Sequence, residues 1–369
     1  MEAESDAWYT DKGNEADVVL STKVRIARNL ANFPFPIKMK GRDAERVQSL
    51  VFDAFNHLEN GEKFQAIQAD KLDLLSSHIL EERGIITPAE VSAATKDTGV
   101  ILRTDGRVSC TVNVVDHVRI SSFVAGMDFE KAIKLAKDVD NGLQKSVQFA
   151  ASYDFGYLTS SLTDAGSGEK ISLKVHLPSI SALGRIGSLI MEMNERGIGF
   201  AAAYGSGSTG FVSGFGKGAS LGAYYEIRSL DSQSGTEFDQ MTSIASAAKK
   251  LVEYERTART ECASSMPSDI RNFLFRALAL ARSSLFVPLR EAIEIISAVK
   301  WALDMNLLSG IDDSVLFALL YRVQEAHLEY VLKNGSFNFE KDISGTVKKN
   351  GRLRALILQE AFEDIKLMV

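Results

Sequence analysis

The chain changes character close to residue 266. Before that point β-branched runs, glycines and helical periodicity are interleaved. From Asp269 onward almost every window reads as helix, rich in Leu, Ala, Ile and Arg. Such a chain folds as a mixed unit followed by a helical one, with the small, polar run TECASSMPS (260–268) read as the linker. The expected division is a flexible N-terminus over 1–14, an α/β domain over 15–262 and an all-α domain over 266–369. Two domains also agree with 369 residues at about 150 per domain.

Within the first domain, residues 1–16 are polar and expected to fray. Val18 to Leu30 mixes β-branched with basic residues. Asp43 to Leu58 places Val47, Leu50, Val51, Ala54, Phe55 and Leu58 on one helical face. Val100–Arg103 and Val108–Val115 read as strands around the turn Thr104-Asp105-Gly106. Phe129–Phe149 reads as one amphipathic helix. Ile171–Leu177 reads as a strand stopped by Pro178, and Ser179–Arg196 as a helix closed by Gly197. Residues 205–222 are glycine-rich. Gly222–Ser229 then reads as a strand and Glu237–Arg259 as a long helix.

Composition narrows the function classes. Hydrophobic residues at 45% and charged residues at 24% support a large core and exclude disorder throughout. A net charge of −6 argues against a general nucleic-acid binder. Two cysteines, Cys110 and Cys262, cannot form a disulfide framework and agree with a reducing compartment. The start MEAESDAWYT is unlike a secretory signal, and no apolar run approaches the ~18 residues of a membrane span. The expectation is a cytoplasmic protein that engages neither nucleic acid nor membrane.

Several local motifs carry little. Gly205, Gly207 and Gly210 have the GxGxxG spacing, but more glycine follows where a dinucleotide fold needs a helix. Gly216-Lys217-Gly218 lacks the upstream glycine and the Ser/Thr of a P-loop. A surface loop, or a lid over a substrate, is the better reading. His57, His78, His117, His176 and His327 show no metal-ligand spacing, so no protein-bound metal is expected. Ser160-Ser161 lacks the nucleophile elbow of a hydrolase. Lys23 and Arg25, by contrast, fall on one strand face in STKVRIARN. An anion between them relieves their repulsion, and so does a solvated face. Both readings stand on these residues alone.

The segments gain meaning in order. STKVRIARN (21–29), VNVVDHVRI (112–120), FGYLTSSLTDAGSG (155–168), LKVHLP (173–178) and YGSGST (204–209) resemble the successive motifs of the ATP:guanidino phosphotransferases, the phosphagen kinase family. RNLANFPFP (28–36), YERTAR (254–259) and the helical extension resemble its bacterial protein-arginine kinase (McsB) branch. The resemblance covers residues 15 to 369 and implies an α+β fold: a large antiparallel sheet flanked by helices, then an all-α C-terminal domain. It implies Mg-ATP as phosphoryl donor, arginines on the phosphates, and two glutamates that hold and deprotonate the guanidinium. It further implies a homodimer, with Phe273, Leu278, Leu285, Ile295, Ile296, Trp301 and Leu303 as a face or as core. The implied setting is a stress response with a zinc-binding activator protein, a repressor and a Clp protease as partners.

This chain departs from the family pattern at the residues that carry the chemistry. S-[ST]-R-[VI]-R appears as Ser21-Thr22-Lys23-Val24-Arg25, so the first arginine is a lysine without the bidentate fork. N-E-E-D-H-x-R appears as Asn113-Val114-Val115-Asp116-His117-Val118-Arg119. Arg119 matches a phosphate-binding arginine, and Val115 occupies the position of the catalytic base. C-P-[ST]-N-x-G-[TS] appears as Ser161-Leu162-Thr163-Asp164-Ala165-Gly166-Ser167, with Ser161 for the substrate-contacting cysteine and Asp164 for the asparagine. Lys170 replaces another phosphate-binding arginine, Thr209 replaces the second glutamate, and Gly84 in EERGIITP falls where the family carries a nucleotide-contacting histidine. The phosphoarginine pocket motif R-D-x-x-R-A aligns with Asn350-Gly351-Arg352-Leu353-Arg354-Ala355. Arg352 and Arg354 are thus candidates for an anion pocket or for a solvated basic face.

A protonated guanidinium is a poor nucleophile and needs a base. Losing a general base typically costs about 10²–10⁴ in rate. The pattern therefore points to a pseudokinase with a regulatory or binding role. Ser21, Lys23, Arg25, Arg119 and Lys170 remain as a weakened nucleotide cradle. The alternative is an active protein-arginine kinase that uses Asp116, Asp164 or Glu169 as a substitute carboxylate.

Overall fold

The computed structural model describes residues 7–205, 220–230, 232 and 236–368. In chain order the first strands and helices are β1 (Val19–Arg28), α1 (Asp43–Asn56), β2 (Phe64–Gln68), α2 (Leu74–Glu82), α3 (Pro88–Ala93), β3 (Gly99–Arg103), β4 (Val108–Val112), β5 (Val118–Ala125) and α4 (Phe129–Leu143). A short hairpin of β6 (Ala151–Ser152) and β7 (Gly156–Tyr157) precedes β8 (Glu169–His176). Then come α5 (Pro178–Ala182), α6 (Ile186–Glu195), β9 (Ile198–Ala202), β10 (Tyr224–Ser229) and α7 (Glu237–Ser265). The remainder is helical apart from one small strand pair: α8 (Pro267–Ser283), α9 (Leu289–Asp304), β11 (Leu308–Ser309), α10 (Asp313–Arg322), α11 (Glu325–Asn334), α12 (Thr346–Ala361) and β12 (Lys366–Leu367).

The main sheet has eight strands in the order β2-β3-β4-β5-β1-β8-β10-β9, with β2/β3, β3/β4, β4/β5 and β1/β5 antiparallel. The expected α+β architecture is thus present. Two compact units emerge, one from residues 1–11, 21–173 and 228–246, the other from 12–20, 174–227 and 247–369.

In the first unit, alternation along β1 turns Val24 and Ile26 inward and leaves Lys23 and Arg25 on the opposite face. The N-terminal segment does not fray from Trp8 on. Trp8 and Tyr9 are buried, and the Trp8 ring stacks on Phe123 at 5.4 Å, so aromatic burial outweighs the polar neighbours. The helix expected over 129–149 ends at Leu143, because residues 148–150 bond instead to the backbone at 29–31.

In the second unit, the helix expected over 179–196 is two helices. Gly184 at φ +70° closes α5, with the Gly184 and Arg185 N–H groups donating to Ser181 and Ile180 carbonyls. The expected linker 260–268 is helix through Ser265, with Met266 alone between α7 and α8. The hydroxyls of Thr260, Ser264 and Ser265 bond back to carbonyls one turn earlier, so small polar residues sit in a helix without orphaned groups. Phe273, Leu278, Ile295, Ile296 and Trp301 are core residues of this unit, whereas Leu285 is about half exposed. The Trp301 indole donates to Ser179 Oγ, and the Glu255 carboxylate accepts from the Ser179 and Ile180 N–H groups.

Candidate functional site

Three adjacent strands of the first unit bring the expected phosphate ligands together. Arg25 lies on β1 opposite Ser121 of β5, and Ala27 lies opposite Arg119. Arg25 and Arg119 therefore share a face across a diagonal of the antiparallel pair. Lys170 comes from β8, the next strand on the other side. Ser21 and Lys23 lie on the same face of β1, farther along it.

The cations converge on Asp164, which a short 3₁₀ turn (Leu162–Asp164) carries into the cradle. One carboxylate oxygen accepts from Arg25 Nη2 at 2.8 Å and Arg119 Nη2 at 3.1 Å, and the other lies 2.5 Å from Lys170 Nζ. Burial raises the Asp164 pKa, but Arg25, Lys170 and Arg119 outweigh it and hold the carboxyl below the usual carboxylate range. Arg119 also meets Asp116 through Nε at 3.1 Å and Glu90 through Nη1 at 3.8 Å. Lys23 turns elsewhere. Its Nζ donates to the Gly84 carbonyl at 3.0 Å and sits over the Phe123 ring. Arg25 Nε is buried without an acceptor.

The loop after β4 keeps its frame. Asn113 adopts φ +57° and ties the loop to the carbonyls of Ala44 and Asp97. His117 accepts from Leu30 N–H through Nδ1 and contacts the Pro34 carbonyl through Nε2. Burial holds its pKa below the ordinary histidine value, so the ring is neutral and structural. Asp116 is fully buried. Its Oδ1 accepts from Asn29 Nδ2 and the Ser160 N–H, and its Oδ2 accepts from Arg119. Val115, at the position read as the base, is 37% exposed.

Ser161 shares a 3.0 Å hydroxyl contact with Thr163, which also accepts from Lys170. Glu169 is buried beside Lys137, and the alternation of β8 turns it to the face opposite Lys170. Burial, above all, raises its pKa. Thr209, Gly207, Gly210 and Lys217 lie outside the described residues. Arg352 pairs with Glu340. Arg354 is buried, donating to the Val323 and Val287 carbonyls and pairing with Glu325 at 2.9 Å. These two arginines therefore meet acidic partners supplied from outside their own helix.

Sequence reading missed Glu90, Asn29 and Trp8. Thr87-Pro88-Ala89-Glu90 is a capping box that starts α3, a signal that marks Glu90 as a helix-start residue but not as a neighbour of Arg119. Trp8, Tyr9, Arg83, Ile85, Arg103 and Phe123 line a cavity of about 290 Å³ that shares Phe123 with Lys23. Among the described residues, no group of three His, Cys, Asp or Glu side chains is placed to hold a metal.

Comparison with known proteins decides the family. The model of the ATP:guanido phosphotransferase C-terminal catalytic domain matches residues 46–258, more than half of the chain. The chain belongs to the ATP:guanido phosphotransferase family. It is 26% identical over 326 residues to the protein-arginine kinase of Syntrophomonas wolfei, covering 88% of each chain. It is 28% identical over 336 residues to that of Halothermothrix orenii, covering 91% of this chain and 93% of the relative. Two phosphagen kinase structures share the fold. A lombricine kinase aligns with TM-score 0.56 at 14% identity over 68% of this chain and 69% of its own. The duplicated taurocyamine kinase of Schistosoma mansoni aligns with TM-score 0.59 at 16% identity over 75% of this chain and 39% of its own. Arg25, Arg119 and Lys170, the residues expected on the phosphates, are gathered on one face of the sheet.

Proposed function

We propose that this chain is a protein-arginine-kinase-like member of the family whose phosphoryl-transfer chemistry is impaired, and that it works as a binding or regulatory protein. The observation that carries the reading is Val115. An aliphatic side chain lies exposed where the family's base belongs, and the carboxylate beside it in sequence is sealed inside. Asp116 has both oxygens occupied and no exposure, so it cannot take a proton from an acceptor in the cleft. Asp164 is engaged by three cations, and Glu169 faces the other side of the sheet. With no base, positioning of Mg-ATP leaves an unreacted complex. Lys23 in place of an arginine weakens that positioning further.

A homodimer in the cytoplasm belongs to the same proposal. So does a stress-response setting with a zinc-binding activator protein, a repressor or a Clp protease as partner. The test is transfer from radiolabelled Mg-ATP to the protein itself and to an arginine-rich acceptor, scored as acid-labile product with Arg25→Ala as control. The expected result is no signal above that control. A gain in the Val115→Glu/Thr209→Glu double variant supports a decayed site. Transfer by the unmodified protein above the Arg25→Ala background overturns the proposal.

A further inference from the structure

We infer that the Asp164 carboxylate is the resident anion of the cradle, occupying the place of a ligand's phosphate and setting how tightly phosphate-bearing ligands bind. The inference rests on reading the cradle as the phosphate end of the site, and it goes beyond the missing base.

Charge balance is the first argument. Arg25, Arg119 and Lys170 bring three positive charges, and Asp164, Asp116 and Glu90 face them with three negative ones. A polyphosphate arriving at this face meets no net attraction from these six groups, whereas removal of one carboxylate charge leaves an excess cation. Lys23, the fourth cation of the face, is held on the Gly84 carbonyl.

Geometry is the second argument. Asp164 does not sit at the rim as a solvated counter-ion. It is 3% exposed and touches all three strands' cations within 3.1 Å, which is where an oxyanion shared among them would lie. The fit is also incomplete. One donor of the cradle is left over, since Arg25 Nε stays buried with no acceptor. A phosphate offers more oxygens in three dimensions than a carboxylate does. The cradle therefore has the donor set for the larger anion and holds the smaller one.

Residue type is the third argument. The family motif carries asparagine where this chain has Asp164. The two side chains have nearly the same shape. The amide is neutral and leaves the cations to an incoming anion, whereas the carboxylate neutralises them in advance. One atom in the side chain thus converts an open anion site into a self-occupied one.

The experiment is calorimetric titration of inorganic pyrophosphate, and separately Mg-ATP, into the full chain and its Asp164→Asn variant. The variant is expected to bind pyrophosphate about tenfold more tightly, the scale of one freed charge-assisted hydrogen bond. That gain should vanish in the Arg25→Ala/Asp164→Asn double variant. Without ligand the Asp164→Asn variant should melt below the parent, and pyrophosphate should restore it. Equal or weaker pyrophosphate binding by folded Asp164→Asn overturns the inference. If Asp164→Asn and Asp164→Ser both fail to fold, failure of pyrophosphate to rescue them overturns it equally, since the proposed anion is replaceable. Phosphoryl transfer measured on the same variant separates the two readings. Tighter binding without transfer leaves both standing, and transfer by Asp164→Asn with Val115 in place overturns the missing-base argument of the proposed function alone. Unchanged binding without transfer sinks only this inference.

Discussion

The fully buried Asp116 carboxylate holds together three groups: the buried Asn29 amide, the Ser160 N–H and the Arg119 guanidinium. Asp116→Ala removes one acceptor from each, leaving Arg119 its Asp164 partner and Asn29 the Leu158 carbonyl, and removing one member of a largely buried pair typically costs about 3–5 kcal/mol. Urea unfolding should show a loss of that order. Val115→Ala, one residue away at an exposed position, should change stability by no more than about 0.5 kcal/mol. The contrast tests whether Asp116, and not its neighbour Val115, carries the structural role of this loop. At this scale the sequence was readable in residue types. Val115, Ser161, Lys23 and Lys170 stand out once the motifs are aligned. The engagement of Asp164 was not readable, because it needs β5, β1 and β8 to lie side by side, and no spacing along the chain records which strands become neighbours.

At the scale of elements, one close approach fixes the start of β8 beside β1. The Ala27 N–H donates to the Gly168 carbonyl, and Gly168 adopts φ +67°. A Cβ there would press into the Arg28 guanidinium and the Ala27 carbonyl. Gly168→Ala combines left-handed backbone strain with a clash against backbone. It should lower stability by about 2 kcal/mol or more, read as a fall in Tm. Because Lys170 lies two residues on, the same variant should also weaken anion binding. Helix α1 and strands β1, β3, β4 and β10 were legible from periodicity, since their apolar faces repeat at 3.6 or 2 residues. The break at Gly184 and the helical course of 260–265 were not. A glycine at the end of α5 and hydroxyls that bond within a helix use residues that equally mark turns and linkers.

For the whole molecule, pH is an informative variable. Burial pushes the Glu255 carboxyl up to about 7, against the two backbone N–H groups that favour its charged form. Its unfolded value is near 4.5. Below that pH both states hold the proton. Between about 4.5 and 7 the unfolded chain has released a proton that the native chain keeps, so stability falls as pH rises through this window. The contribution is at most about 3 kcal/mol. Denaturation midpoints across pH 4.5–7.5 should slope downward relative to Glu255→Gln, in which this component is absent. A slope identical in the two proteins would assign the effect to other groups. The change of character near residue 266 was legible as composition. The compact units were not, because each gathers three separated stretches of chain, including residues 12–20 with the C-terminal part.

The two tryptophans divide between those units. Trp8 is stacked on Phe123, a residue that lines the cavity and lies under Lys23, whereas Trp301 is enclosed among helices with its indole on Ser179. Since the sequence contains two tryptophans in all, each single replacement by phenylalanine leaves one intrinsic fluorophore reporting on one unit. Emission from the Trp301→Phe protein should respond to a ligand entering the cavity beside Phe123. Emission from the Trp8→Phe protein should follow melting of the helical part. Comparing the two denaturation curves by wavelength would then show whether the units unfold as one cooperative system or in sequence.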